Sequence, residues 1–355
     1  MKKICMIVPS FEAKGGITSV VRGYRGSDLE KRYQIRYIET YCDGVKVKKL
    51  AKAIRAYALF LWTLIVFKPD LIHIHSSFGA SFYRKAPFIC IASLLQIPVV
   101  NHIHGSELDR FYRKKPEYHQ SFIRTVFKKC SRILVLSEQW REQFTELIDL
   151  NQMDVVANYS ICPKKKFENR NKQDPSVLFL GFLSELKGCF DIPKVAESVA
   201  KEIKDVHFVL AGSGTAGDLQ QIQALAKEQG VEKQLVFPGW ANGKEKDGLL
   251  QQASVFFLPS YTEGMPMSIL EAMGYGLPVV STTVGGIPEL VEHGKSGFLL
   301  EPGDTEGFAE AIITLLKDSR KRMEMGQAGL SHVQENYSLE KHIGSLMNVY
   351  DSLIR

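Results

Sequence analysis

Short runs rich in Val, Ile and Leu alternate along the whole chain with helix-length segments whose apolar positions recur near the 3.6-residue period. Strands buried on both faces read as continuous apolar runs, so this alternation predicts parallel sheets with crossover helices. The first half places strands at 3–9, 34–40, 71–75, 98–102, 133–137 and 154–157. The second half restarts the pattern at 177–180, 207–211, 235–238, 255–259 and 278–281, each run followed by a glycine-containing turn and a helix. Between the halves, residues 163–175 are polar and flanked by Pro163 and Pro175; too little apolar surface is present for them to fold alone, so they predict a linker. The expected architecture is α/β: two doubly wound domains, residues 1–165 and 166–337, with residues 338–355 as a closing helix. In that helix Leu339, Ile343, Leu346, Met347, Tyr350 and Leu353 fall at helical spacing. Doubly wound sheets bind ligands beyond the carboxyl ends of their strands, so functional residues are sought just after each run.

At 355 residues the chain exceeds what one core organises, which agrees with two domains and a cleft. The net charge of +6 gathers in the first half: Lys46, Lys48, Lys49, Lys52 and Arg55 precede an apolar run, while Arg110, Arg113, Lys114 and Lys115 flank Phe111 and Tyr112. Two readings stay open for these segments, solvated helix faces or attraction to an anionic membrane surface. No recognition motif accompanies the charge, so nucleic acid is not expected. The longest apolar run, 56–67, is about half of what crossing a bilayer requires. The six cysteines show no C-x-x-C spacing, and Met1-Lys2-Lys3 leads directly into a strand. The expectation is a cytoplasmic protein with reduced thiols, peripheral at the inner face of the cell membrane if the lipid reading holds.

The most informative stretch runs from Phe257 to Val280. A buried strand ends near Ser260, a loop holds Glu263 and Gly264, and Pro266 suits the first position of a helix because its missing N–H is not needed there. Backbone N–H groups around Gly264, Met265 and Met267, with Ser268 and the helix dipole, make an anion site suited to a diphosphate. Glu263 and Glu271 bracket it. An ionised carboxylate only accepts hydrogen bonds, so each can grip a pair of sugar or ribose hydroxyls. Taken singly, either reads as a capping or solvated glutamate; the pair beside a helix start points to binding.

Three further turns repeat the strand, glycine and helix-start pattern. Gly181, Ser184 and Lys187-Gly188 follow the strand at 177–180, where the lysine would meet phosphate oxygens. Gly212 and Gly214 follow 207–211, and a plain tight turn explains them as well as ligand contact does. Gly285-Gly286 with Pro288-Glu289 follows 278–281, where paired glycines permit close backbone approach to a ligand. In the first half, Gly15-Gly16 after the first strand could act similarly, and His104, with Glu107 three residues on, ends the strand at 98–102.

Together these residues resemble the family 4 retaining glycosyltransferases over nearly the whole chain. The match rests on Gly181…Lys187-Gly188, on Glu263-Gly264…Glu271-Ala272-Met273…Gly276…Pro278-Val279, and on Gly285-Gly286-Ile287-Pro288-Glu289. The resemblance implies the GT-B fold, two facing Rossmann-like domains. The C-terminal one would hold a nucleotide sugar, UDP-sugars being commonest, and the N-terminal one the acceptor, with the closing helix crossing back to it. It implies Glu263 on the transferred sugar, Glu271 on the ribose, Lys187 on the diphosphate, donors from Met265, Pro266, Met267 and Ser268, and Gly239 and Trp240 near the base. Gly16 would approach the donor phosphate, His104 would be the cleft histidine, and Glu289 matches a downstream acidic position. The acceptor is expected to be a saccharide or lipid-linked saccharide, in bacterial cell-surface polysaccharide assembly. One departure stands out: members commonly carry Arg after the glycine at 181, and this chain has Phe182. Arg25, Lys244 or Lys246 are candidate replacements. No Asp-x-Asp pair occurs, so no metal and no cofactor beyond the nucleotide-sugar co-substrate are expected. A degenerate module that binds without turnover, or an epimerase on the same fold, are the competing readings.

Overall fold

The structure is a computed structural model that describes residues 1–105, 107–163 and 175–354. It divides into two compact units, Met1–Asn158 with Leu339–Arg355, and Tyr159–Ser338. The expected linker and the boundary at 165/166 lie, apart from the flanking prolines, outside the described residues.

The first unit contains Lys3–Val8 (β1), Gln34–Glu39 (β2), Leu71–Ser76 (β3), Val99–Ile103 (β4), Arg132–Val135 (β5) and Met153–Val155 (β6). They form a parallel sheet of order β2-β1-β3-β4-β5-β6. Every residue of β3 and β4 is buried, the polar His73, His75, Ser76, Asn101 and His102 included. The helix Lys46–Val66 lies on this unit through Ala56, Phe60 and Thr63. Its other side keeps Val47, Leu50, Ile54, Leu61 and Ile65 exposed. The helix Leu339–Leu353 belongs to this unit as well. Tyr350 reaches His73, His342 accepts from Tyr24 at 2.8 Å through Nε2 and donates to the Ala157 carbonyl at 2.7 Å through Nδ1, and Asp351 pairs with Arg32.

The second unit contains Ser176–Leu180 (β7), His207–Ala211 (β8), Leu235–Gly239 (β9), Val255–Leu258 (β10), Val279–Thr282 (β11) and Gly297–Leu300 (β12), parallel and ordered β12-β11-β10-β7-β8-β9. The strand order reverses between β7 and β10, which makes that junction the topological switch point. β12 is absent from the sequence reading. It is a short edge run that opens on a glycine, and it joins the sheet because Gly297 lets the chain close on β11: a Cβ there would sit 2.1 Å from the Val279 carbonyl oxygen.

Candidate active site

The loops after β7 and β10 interlock at the switch point. The turn Glu185–Lys187 ends on Gly188 at φ +69°, and a Cβ at Gly188 would lie 2.0 Å from the Pro259 carbonyl oxygen. Tyr261 N–H donates to the Leu186 carbonyl at 2.9 Å. This stitching delivers Lys187 Nζ to Glu263 Oε1 at 2.6 Å, with Ser260 Oγ donating to the same oxygen at 2.8 Å. Glu263 is only 6% exposed and Ser260 is buried. A desolvated carboxylate persists when paired and hydrogen-bonded, and both conditions are met.

The Gly285-Gly286 turn locks the other side of this loop. Gly286 N–H donates to the Gly264 carbonyl at 2.7 Å, and Gly285, at φ +57°, sits where a Cβ would fall 1.9 Å from the Glu263 carbonyl oxygen. Gly285 therefore serves backbone contact with the Glu263 loop.

Pro266 is the N-cap of the helix Met267–Gly274, one residue ahead of the expected first helical position. Its ψ of 121° is extended, and the residue behind the ring begins the helix instead. Met265 is buried, Ser268 lies in the first turn, and Glu271 in the second. Glu271 Oε1 meets Lys246 Nζ at 2.6 Å, and this lysine comes from the helix Gly243–Gln252. Each of the two acids thus carries a lysine. Tyr275 and Asp247, linked at 2.7 Å, brace the same two helices.

Gly181, Gly212 and Gly239 stand at the carboxyl ends of β7, β8 and β9. A Cβ at Gly212 would lie 1.8 Å from the Gly181 carbonyl oxygen, and one at Gly214 2.5 Å from that of Leu183. Close backbone packing accounts for this turn. Gly239 pairs with Ala211 at φ +87°, has open space about it, and is followed by the half-buried Trp240. Ser184 precedes the Lys187 turn, and its carbonyl accepts from the Lys187 and Cys189 N–H groups. Phe182 is 47% exposed. Asp191 accepts from Tyr261 at 2.9 Å, and burial holds its carboxyl above the ordinary value. The Glu289 carbonyl accepts from the Tyr337 hydroxyl at 2.8 Å, which fixes its backbone to the end of the helix Ser319–Asn336.

In the first unit, Gly15 caps the helix Gly16–Arg22 at φ +135°. His104 Nε2 lies 3.0 Å from His75 Nδ1, and its own N–H continues the strand pairing to the Ser76 carbonyl. Burial first, and then the Lys85 ammonium with the surrounding histidines, holds His104 well below the usual imidazole value, so it is neutral at pH 7. Glu107 follows on a half-buried loop. The segment Arg110 to Lys115 departs from its reading: Phe111 and Tyr112 are core residues, Phe111 stacking on Phe78, and Arg113 pairs with Glu146. Phe111 and Tyr112 are thus withdrawn from the surface, where Tyr83, Tyr118 and Phe122 are the exposed aromatics nearby.

The Lys246–Glu271 and Ser260–Glu263 contacts were not assigned from sequence. Ser260 carried a signal, since a strand-end serine three residues before a loop acid is placed to donate to it.

Two sheets of this order, each with a switch point at its strand ends, define a GT-B architecture. Residues 162–332 match the model of glycosyl transferases group 1 and residues 13–158 that of glycosyltransferase family 4, and the chain belongs to the family 4 glycosyltransferases. It is similar to N-acetyl-alpha-D-glucosaminyl L-malate synthase of Bacillus anthracis, 27% identical over 243 residues, which cover 66% of this chain and 63% of the relative. The chain thus spans about three fifths of the length of curated relatives it matches, 63% and 59% for two of them. Sucrose-phosphate synthase from Thermosynechococcus elongatus has the same fold, with a TM-score of 0.79 at 16% identity over 99% of both chains. So does HepE from Anabaena, solved with UDP and glucose, with a TM-score of 0.75 at 18% identity over 99% of this chain and 100% of that one.

Proposed function

We propose that this chain is a retaining glycosyltransferase that moves a hexose-type sugar from a nucleoside diphosphate sugar, a UDP-sugar foremost, to a hydroxyl of a saccharide or lipid-linked saccharide. The observation that carries the reading is the convergence of Lys187, Ser260 and Glu263 at the switch point of the second unit, with the Glu271–Lys246 pair from the adjoining helices. In this reading Glu263 grips the sugar hydroxyls, Glu271 the ribose, and Lys187 the diphosphate. The backbone of Gly264 to Ser268 adds the positive end of a helix. Gly181, Ser184, Gly212, Gly239 and Trp240 line the nucleotide side, and Gly15, Gly16, His104 and Glu107 serve the acceptor-side unit. Neutral His104 can donate or accept a hydrogen bond to an acceptor hydroxyl.

Each lysine occupies its acid until hydroxyls replace it, and a released Lys187 then stands free to neutralise the departing phosphate. The anomeric carbon–oxygen bond to the diphosphate breaks, the acceptor oxygen bonds the same face, and its proton passes to a leaving phosphate oxygen. Retention by this route needs no covalent carboxylate intermediate. No metal takes part in this step, a reading supported by the missing Asp-x-Asp pair.

The exposed row Val47, Leu50, Ile54, Leu61 and Ile65, with Lys46, Lys48, Lys49 and Arg55 on the same helix, supports a peripheral position on an anionic bilayer. Among the described residues no helix is long and apolar enough to cross a membrane.

Incubation with a panel of nucleotide sugars tests the reading through slow donor hydrolysis. One donor is expected to be hydrolysed, and Glu263→Ala and Lys187→Ala to abolish it. The exposed Phe182 favours a second reading, a module that binds donor without turnover. Binding with no hydrolysis and no transfer would select it.

A further inference from the structure

The first unit holds a histidine cluster of which the transfer reading uses His104 alone. His73 and His75 alternate along β3 as His102 and His104 do along β4, so all four project to one face, with His75 and His102 paired directly across the strands. His73, His75 and His102 are completely buried, with ring centroids 4.3 Å apart for His73–His75, 5.3 Å for His75–His102 and 5.8 Å for His73–His102. Nε2 of His73, Nε2 of His75 and at least one nitrogen of His102 have no hydrogen-bond partner within the protein, the Val156 backbone lying near the other. Buried polar atoms are normally satisfied, so several unmatched nitrogens at one place call for a ligand. One nitrogen from each ring lies within 4.8 Å of the other two.

The outward nitrogens are engaged. His73 Nδ1 meets the Tyr350 hydroxyl at 2.5 Å and His75 Nδ1 meets His104 Nε2 at 3.0 Å. Metal-ligating imidazoles are held in this way: an outer N–H donated to a neighbour fixes the tautomer and leaves the other lone pair directed at the ion. We propose that His73, His75 and His102 bind a divalent transition-metal ion, Zn²⁺ foremost, as a structural clasp joining β3 and β4 beneath the helix Leu339–Leu353.

Imidazole suits Zn²⁺, and each nitrogen need close in by less than about 1 Å to reach the Zn–N length of about 2.0–2.1 Å. Three neutral ligands bring no counter-charge, and the buried Lys85 donates to the His75 carbonyl from nearby. A hydroxide in the fourth tetrahedral position therefore completes the site and lowers its charge. With Nε2 of His75 on the ion, its Nδ1 carries the proton and donates to His104 Nε2, leaving His104 protonated on Nδ1. The clasp shares no residue with Lys187, Glu263 or Glu271, and its test needs neither donor nor acceptor, so its failure and that of the transfer reading are separable.

A cluster this deeply buried takes up its ion during folding. The full chain refolded with Zn²⁺ alone and desalted is expected to retain about one Zn²⁺ per chain by elemental analysis. Co²⁺ in its place is expected to give the intense ligand-field absorption of a tetrahedral site. His73→Gln, His75→Gln and His102→Gln should each weaken Co²⁺ binding at least about tenfold, while His207→Gln and His293→Gln, outside the cluster, leave it unchanged. Where a cluster variant does not fold, X-ray absorption on the Zn²⁺-loaded wild type decides: a shell of imidazole nitrogens supports the clasp and a shell containing sulfur overturns it. Trace metal in correctly folded wild type, or equal Co²⁺ binding by all five variants, also overturns it and leaves the nitrogens to buried water.

Discussion

Glu263 has given up nearly all its contact with water, and two donors, Lys187 and Ser260, compensate for that loss. Removing one leaves a carboxylate undersatisfied in a poorly solvated place. Lys187→Ala is expected to lower stability by about 1–2 kcal/mol, a figure reduced because the lysine side chain is 29% exposed. Thermal or denaturant unfolding reads it, and Lys187→Met combined with Glu263→Gln should recover most of the loss, since no charge then remains to be paired. If the double variant is no more stable than Lys187→Ala, the pair does not govern this loop. Phe182→Arg should tighten UDP binding by about fivefold in calorimetry, because a cation returns to a phosphate site at an exposed position. Unchanged affinity would mean that Lys187 and the helix terminus already suffice. The acids themselves were legible from their position after a strand and before a helix. Their lysine partners were not, because Lys187 and Glu263 stand 76 residues apart and only the folded sheet brings them together.

At the scale of elements, the glycines of the second unit are contact points between loops more than hinges. Gly285→Ala places a methyl group against the Glu263 carbonyl in left-handed backbone, and is expected to cost more than about 2 kcal/mol and to abolish donor hydrolysis together. Gly230→Ala, equally left-handed at φ +68° but facing open space, should cost about 1 kcal/mol and leave hydrolysis intact. Equal hydrolysis in the two variants would dissociate the Gly285 turn from the site. Eleven of the strands were legible, the most deeply covered ones, such as Val255–Leu258 and Val279–Thr282, because burial on both faces favours short runs rich in β-branched and other apolar residues, the rest from their place in the strand–helix alternation. β12 was not, being a short edge run opened by a glycine whose value lies in its missing side chain. The Gly212 turn shows the opposite difficulty: its spacing suits a ligand, yet the backbone of Gly181 occupies the space a side chain would need.

For the molecule as a whole, the exposed apolar row on the helix Lys46–Val66 departs from an ordinary solvated surface. Ile54→Glu with Ile65→Glu, at positions 60% and 72% exposed, should leave unfolding within about 0.5 kcal/mol of wild type while reducing flotation with anionic vesicles. Wild-type protein that stays off such vesicles at low salt would remove the membrane from the reading. Charge clustering showed this helix in the sequence, but only burial revealed that its apolar side is turned outward, and that the aromatics near Arg110 are turned in.

The first unit is discontinuous: the helix at residues 339–353 packs onto a sheet whose strands were all laid down before residue 156. During synthesis the intervening unit is therefore the one free to finish first. The earlier strands wait for their last covering layer, with Tyr24 and His73 lacking the His342 and Tyr350 contacts, until the ribosome has moved past the other globule altogether.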